Sequence, residues 1–270
     1  MLNVASKICA VAISLATLLS CGNSNRDQAT QLCEAAEQEV KAGRYEGAMM
    51  LLDTLDTKYA SEVEVRRSAM KFRAMAVEGL TLRRITAVDD TLAYLKSISD
   101  QFDQRFDYVE NPGKGLGGNY VAKSLVKGKP ELLPRINDEG YFTLSVKVDG
   151  RPISFSYITF SDGSESVSTV PVSSSRLVKV ENTEMTVLQQ EDLTEAAQWL
   201  VLHPDANAYE LVGANSILKR KLTPELRDAI VETWQFAEAK QAYRLSLIER
   251  EKLERRLQLC RDQLANVIDR

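Results

Sequence analysis

The chain has 270 residues, 44% of them hydrophobic and 27% charged. It is long enough for one large or two modest globular domains and too apolar for wholesale disorder. Its formal net charge is −4, which argues against the dense positive surface of a nucleic-acid binder. With a single histidine, His203, any histidine-based metal site or acid–base pair has to be built on that one imidazole.

Residues 1–7 carry one positive charge, Lys7, and residues 8–19 are uncharged and mostly apolar. As a helix that apolar run spans ~18 Å, against a hydrocarbon core of ~30 Å. This predicts a signal peptide over residues 1–20 rather than a membrane span. The run ends in Leu18-Leu19-Ser20-Cys21. That string resembles the lipobox of bacterial lipoproteins. The resemblance implies cleavage before Cys21, a diacylglycerol thioether on its sulfur and acylation of the new amino group. Each buried CH2 contributes ~0.8 kcal/mol, so one acyl chain anchors marginally and several anchor firmly. The alternative is an ordinary signal peptide followed by a coincidental cysteine. Residues 21–28 read as a polar tether. With Cys9 in the signal and Cys21 lipidated, Cys33 and Cys260 remain. An oxidising envelope permits a disulfide between them; the other reading is two buried, unpaired thiols.

Residues 29–60 predict a helical hairpin, with Leu32, Ala35 and Ala36 on one helix, Gly43-Arg44-Tyr45 at the turn, and Ala48, Leu51, Leu52 and Leu55 on the other. Ala36, Gly43, Tyr45, Ala48 and Leu52 resemble one tetratricopeptide repeat. The motif's closing proline is replaced by Tyr59-Ala60, and no second copy follows. A solenoid needs about three repeats, so the resemblance implies a structural base rather than a peptide-binding array.

Ser61 and Glu64 have the spacing of a capping box and open a first long helix over 61–110. Gly79 predicts a bend or break, since glycine in a helix costs ~1 kcal/mol relative to alanine. Ile85, Val88, Leu92, Leu95, Ser99, Phe102, Phe106 and Val109 then follow at spacings of three and four, a heptad seam that asks for a helical partner. Residues 111–118 read as a hinge. They hold Gly113, Gly115 and Gly118 in a G-x-G-x-x-G pattern, but a helix and a proline precede it where a dinucleotide fold needs a strand. No cofactor is implied.

Residues 119–222 change character and predict a small, mostly β head. Residues 141–148 and 153–160 read as a hairpin about Asp149-Gly150, with a third strand after Asp162-Gly163. Asp192 and Glu195 read as a capping box opening a short helix through Trp199 to Leu202. Strands are also expected at 185–188, 209–212 and 217–222. Tyr141, Phe142, Phe155, Tyr157 and Phe160 are either core or an exposed binding face. His203, just past the short helix, reads as a helix-end residue bonded to free carbonyls, or as the base of a hydrolase. No nucleophile elbow accompanies it.

Thr223-Pro224-Glu225 starts a C-terminal long helix over 223–270. Its apolar face is read as Ile230, Trp234, Ala237, Leu245 and Ile248, then Leu253, Leu257, Cys260, Leu264 and Val267 after a phase shift. The two long helices either pair antiparallel as a coiled-coil stalk or each pairs with a second copy.

The expected fold class is α+β, with an N-terminal helical hairpin, a long antiparallel helical pair and a β-rich domain inserted between the long helices. The arrangement resembles a type of bacterial envelope lipoprotein, which implies location and fold but no activity. The expected function is a membrane-anchored structural or interaction scaffold, more readily at the outer than the inner membrane. Its partners would be the bilayer, through the lipid, and another protein or a second copy. The alternatives are a module that captures a glycan, peptide or envelope protein, and a hydrolase using His203.

Overall fold

The computed structural model describes residues 24–112, 117–128, 130–150 and 152–268. The signal peptide, Cys21, and the stretch from Gly113 to Leu116 lie outside these residues. The protein is mixed helix and sheet, with a long C-terminal helix and two antiparallel sheets. It divides into two compact units, Met1–Arg83 with Arg255–Arg270, and Arg84–Glu254.

In the first unit, α1 (Ser24–Lys41) and α2 (Tyr45–Lys58) pack on each other across a short turn. Gly43 makes that turn at φ 71°, a left-handed conformation open to glycine without strain. α3 (Val63–Asp103) contributes its first half here. The core is small-residue rich: Ala29, Cys33 and Ala36 from α1, Ala48, Leu52 and Leu55 from α2, and Ala69, Phe72 and Ala76 from α3. α3 begins two residues after Ser61, and the Glu64 carboxylate pairs with Arg67 at 3.6 Å.

Gly79 neither breaks nor ends α3. A Cβ at Gly79 would stand 2.2 Å from Cζ of Tyr45, so the missing side chain makes room for that ring. Arg83, one turn on, lies over the same ring at 4.9 Å and donates to the Gly43 carbonyl at 2.5 Å. The glycine serves close packing, not flexibility. Leu257 and Cys260, from the end of the last helix, are also buried in this unit, and Arg261 bonds Glu78 at 2.9 Å.

The second unit begins within α3. Val88 and Phe102 are buried and Ile85, Leu92, Leu95 and Ser99 half-buried, so the expected seam holds as far as Phe102. There the helix stops. Residues expected to continue it form β1 (Phe106–Glu110), which pairs antiparallel with β2 (Gly118–Ala122). The expected hinge over 111–118 is therefore the connection of a hairpin, with Asn111 N–H bonded to the Gly117 carbonyl at 2.9 Å. α4 (Lys123–Val126), β3 (Leu132–Asn137) and β4 (Phe142–Asp149) follow, then β5 (Phe155–Ser161), β6 (Ser166–Ser168), a 3-10 turn (Ser174–Arg176), β7 (Val178–Val180) and β8 (Thr183–Gln189). α5 (Gln190–Leu202), β9 (Ala208–Gly213), β10 (Ile217–Lys221) and α6 (Pro224–Ile268) complete the chain.

One sheet has the order β1-β2-β3-β4-β8-β7 and the other β10-β9-β5-β6. The expected hairpin of β4 with β5 does not form: the strands lie in different sheets, β4 against β3 and β8, and β5 against β6 and β9. Gly150 does turn the chain, at φ 96°, but toward the other sheet. Glu184 of β8, 1% exposed, fixes the crossing. Its carboxylate accepts the backbone N–H groups of Ile153, Ser154 and Phe155, each at 2.9 Å. Those amides would otherwise be orphaned in the interior.

Both sheets share one core. Leu132, Ile136, Leu144, Val146 and Leu188 meet Ile158, Phe160 and Leu211, together with Leu193 and Leu200 of α5. The capping box of α5 sits three residues earlier than expected. Gln189 is its N-cap and Asp192, its third residue, accepts from the Gln189 N–H at 2.8 Å. α6 opens as expected, with the Leu226 N–H donating to Thr223 Oγ1 at 3.3 Å. Its first turns belong to this core through Ile230, Trp234 and Phe236. Within the unit, α3 and α6 run antiparallel: Phe102 stacks on Phe236 at 5.2 Å, and Arg84 meets Glu249 while Asp89 meets Arg250. Leu245 and Ile248 are not on that face; they are 66% and 41% exposed.

Candidate functional site

His203 is the C-cap of α5, its N–H bonded to the Trp199 carbonyl at 2.9 Å. The spacing of four places its ring on that of Trp199, with centroids 4.0 Å apart and planes within 13°. Across from it stands the β5–β6 turn. Gly163 supplies φ 99°, and the Asp162 carboxylate closes the turn by accepting the N–H groups of Ser164 and Glu165, both at 2.7 Å. Its second oxygen meets His203 Nδ1 at 2.9 Å.

These bonds hold Asp162 well below the usual carboxylate range, the amide of Glu165 contributing most, then Ser164 and then His203. His203 Nε2 faces the exposed carboxylate of Glu165 at 3.8 Å. Asp162, His203 and Asp205 each bring a ligand atom within 4.8 Å of the others. The Ser164 hydroxyl bonds to Asp162 at 2.9 Å and not to the imidazole. The arrangement is an imidazole oriented by one carboxylate and bordered by others. That suits it to holding a charge or a cation and to pinning the β5–β6 turn to the end of α5. Among the described residues it brings no hydroxyl or thiol to either ring nitrogen.

Sequence reasoning singled out His203 but passed over Asp162 and Trp199. The signals were present: an Asp-Gly turn, and a tryptophan one helical turn before the histidine. The other candidate residues disperse. Cys33 and Cys260 are both buried, with free thiols. Burial raises the Cys33 thiol above its ordinary value, with Glu37 adding to the effect. Phe142, Phe155 and Phe160 are core residues, 0%, 2% and 1% exposed, while Tyr141 is 47% exposed. Tyr157 is half-buried, so three of these five aromatic residues build the interior. Gly118 of the glycine-rich stretch opens β2, where a Cβ would stand 2.5 Å from the Tyr108 ring. No described helix is long and apolar enough to cross a membrane. Comparisons with protein-family models, with curated proteins and with solved structures gave no match.

Proposed function

We propose that this chain is a lipid-anchored protein of the bacterial envelope, most naturally of the outer membrane, that works by interaction. Cys21 is its attachment point and the sheet-bearing second unit is the part offered to partners. In this reading α1 and α2 form a single tetratricopeptide-like base, and the long helices form a stalk with the β-rich region inserted between them. The order of apolar run, Leu18-Leu19-Ser20 and cysteine supports the anchor.

The observation that carries the interaction role lies on α6. Leu245, Leu247 and Ile248 are 66%, 44% and 41% exposed, while the neighbouring Glu249 and Arg250 are engaged by α3. Adjacent apolar side chains left in water mark a contact surface more often than isolated ones do. The partner is another envelope protein or a second copy of the chain.

Two measurements test this. Cells fed an alkyne-tagged palmitate should label the wild-type protein and not Cys21→Ser. Crosslinking in intact cells should give a higher-mass adduct that Leu245→Glu with Ile248→Glu abolishes while thermal stability stays unchanged. Equal labelling of Cys21→Ser would overturn the anchor, and an undiminished adduct would overturn the surface. A second reading, in which the sheet unit binds a small ligand, is favoured by a cavity on its larger sheet.

A further inference from the structure

β3 alternates buried and half-buried residues: Leu132, Pro134 and Ile136 point into the core, and Leu133 and Arg135 to the opposite face of the sheet. On that opposite face lies a cavity of about 370 Å³. Val109 of β1, Val121 of β2, Leu125 and Val126 of α4, and Leu133 form its apolar walls. Arg135 lines the same cavity, and its Nε is buried with no hydrogen-bond partner.

A buried, unpartnered guanidinium nitrogen is anomalous. A charged donor withdrawn from water is ordinarily paired, because an unmet bond there is costly. Among the described residues no carboxylate comes within 4.0 Å of Arg135. Asn111 and Asn119, which also line the cavity, bond to each other at 2.8 Å. Glu110 also borders the cavity, but it is exposed to solvent. The cavity thus combines an apolar wall with one guanidinium, that of Arg135.

We propose that this cavity binds a small amphipathic monocarboxylate, its head paired with Arg135 and its hydrocarbon body against Val121, Leu125 and Leu133. A planar guanidinium matches a carboxylate through parallel N–H bonds, which selects this head group over a neutral one. Size sets the body. A dry cavity of about 150 Å³ holds benzene, so one of this volume takes a ligand of roughly a dozen heavy atoms. The inference deepens the small-ligand reading and does not depend on the lipid anchor or on the α6 surface.

The test uses the full chain carrying Cys21→Ser, titrated with decanoate labelled with carbon-13 at the carboxyl. One bound carboxyl resonance per chain is expected. Decanamide, the uncharged analogue, should bind at least tenfold more weakly by calorimetry, and Arg135→Gln should weaken decanoate by about the same factor, one charge-assisted bond being worth that much. Leu133→Trp, which fills the cavity and keeps the arginine, should abolish the bound resonance. Amide spectra report whether each variant folds. Absence of a bound resonance in the parent protein would overturn the proposal. So would equal affinity for decanamide, or binding that survives Leu133→Trp, since either means partition onto exposed apolar surface. If Arg135→Gln fails to fold, the decanamide and Leu133→Trp comparisons decide.

Discussion

Asp162 shows how much one side chain settles locally. It accepts two backbone amides of its own turn, the Ser164 hydroxyl and the His203 ring. Its folded-state pKa is depressed, so its stabilisation is fully present above the unfolded carboxylate range near ~3.9 and is lost as pH falls through the lower folded value. Asp162→Asn should therefore reduce stability at neutral pH, and the gap between the two proteins should begin to narrow as pH falls below about 4. Denaturant midpoints measured at pH 7, 5 and 3 check this; a gap that stays constant to pH 3 would contradict it. Asp192 follows a related logic. Burial pushes its pKa up, but the hydrogen bonds from Arg176 and the Gln189 N–H outweigh burial, and the net shift is downward. Glu184 is the buried counterpart, its two oxygens shared among three main-chain donors where the chain passes between sheets. None of these roles is legible from residue type alone. An acid in a strand reads as a solvent-facing position until the tertiary fold encloses it.

At the scale of elements, the parts legible in the sequence are those with one consistent period. The seam from Ile85 to Phe102, the α2 face and the Thr223-Pro224 start of α6 are where spacing and capping place them, whereas α1 buries Ala29, Cys33, Ala36 and Val40 and leaves Leu32 and Ala35 half-buried. The misread parts satisfy two rules at once. Phe106 and Val109 keep the three-and-four spacing of α3, yet β1 needs only that Phe106 face inward, which it does at 4% exposure. Asp149-Gly150 specifies a turn but not the sheet the chain turns into. The strings beginning at Gln189 and at Asp192 each resemble a capping box; the first is used, because Asp192 also meets Arg176 at 2.7 Å. β3 escaped notice because Pro134 sits in a strand paired on both sides, where proline is disfavoured. With β3 went Arg135.

Gly79 belongs to this scale as well, since two element-level effects oppose each other there. Helix propensity favours alanine by ~1 kcal/mol. The Tyr45 ring occupies the space a Cβ would need, and forcing a group into packed space costs ~1–3 kcal/mol. Packing should win, so Gly79→Ala should destabilise by up to about 2 kcal/mol in chemical denaturation. A rise in the midpoint would show that the ring moves aside freely.

Across the whole molecule, each unit has its own hydrophobic cluster, and the two clusters have no residue in common. The core of the first is built from alanines and a few leucines between helices; the second is built from β-branched and aromatic residues of two sheets, closed by the first turns of α6. Hydrophobic periodicity announced the mixture of helix and sheet. It could not announce where one core ends and the next begins, because α3 and α6 are each continuous in sequence while contributing to both units. That division is set by which turns of each helix find apolar neighbours, a property of contacts distant in sequence.

The stack of Trp199 on His203 has an optical consequence at this same scale. The chain has two tryptophans, and both Trp199 and Trp234 lie in the unit of residues Arg84–Glu254. Trp234 is 3% exposed against Phe142, so its emission should be blue-shifted, whereas Trp199 lies against an imidazole that is a collisional quencher. Leu144→Ala, in that core, should lower the unfolding free energy read by fluorescence by about 2–5 kcal/mol. Leu52→Ala, among the helices of the other unit, should show first in ellipticity at about 222 nm, the band of helical peptide groups. A Leu52→Ala shift of equal size in both signals would mean that the chain melts as one cooperative body. Excited selectively, this protein's intrinsic light describes its sheets, and its N-terminal helices unfold in the dark.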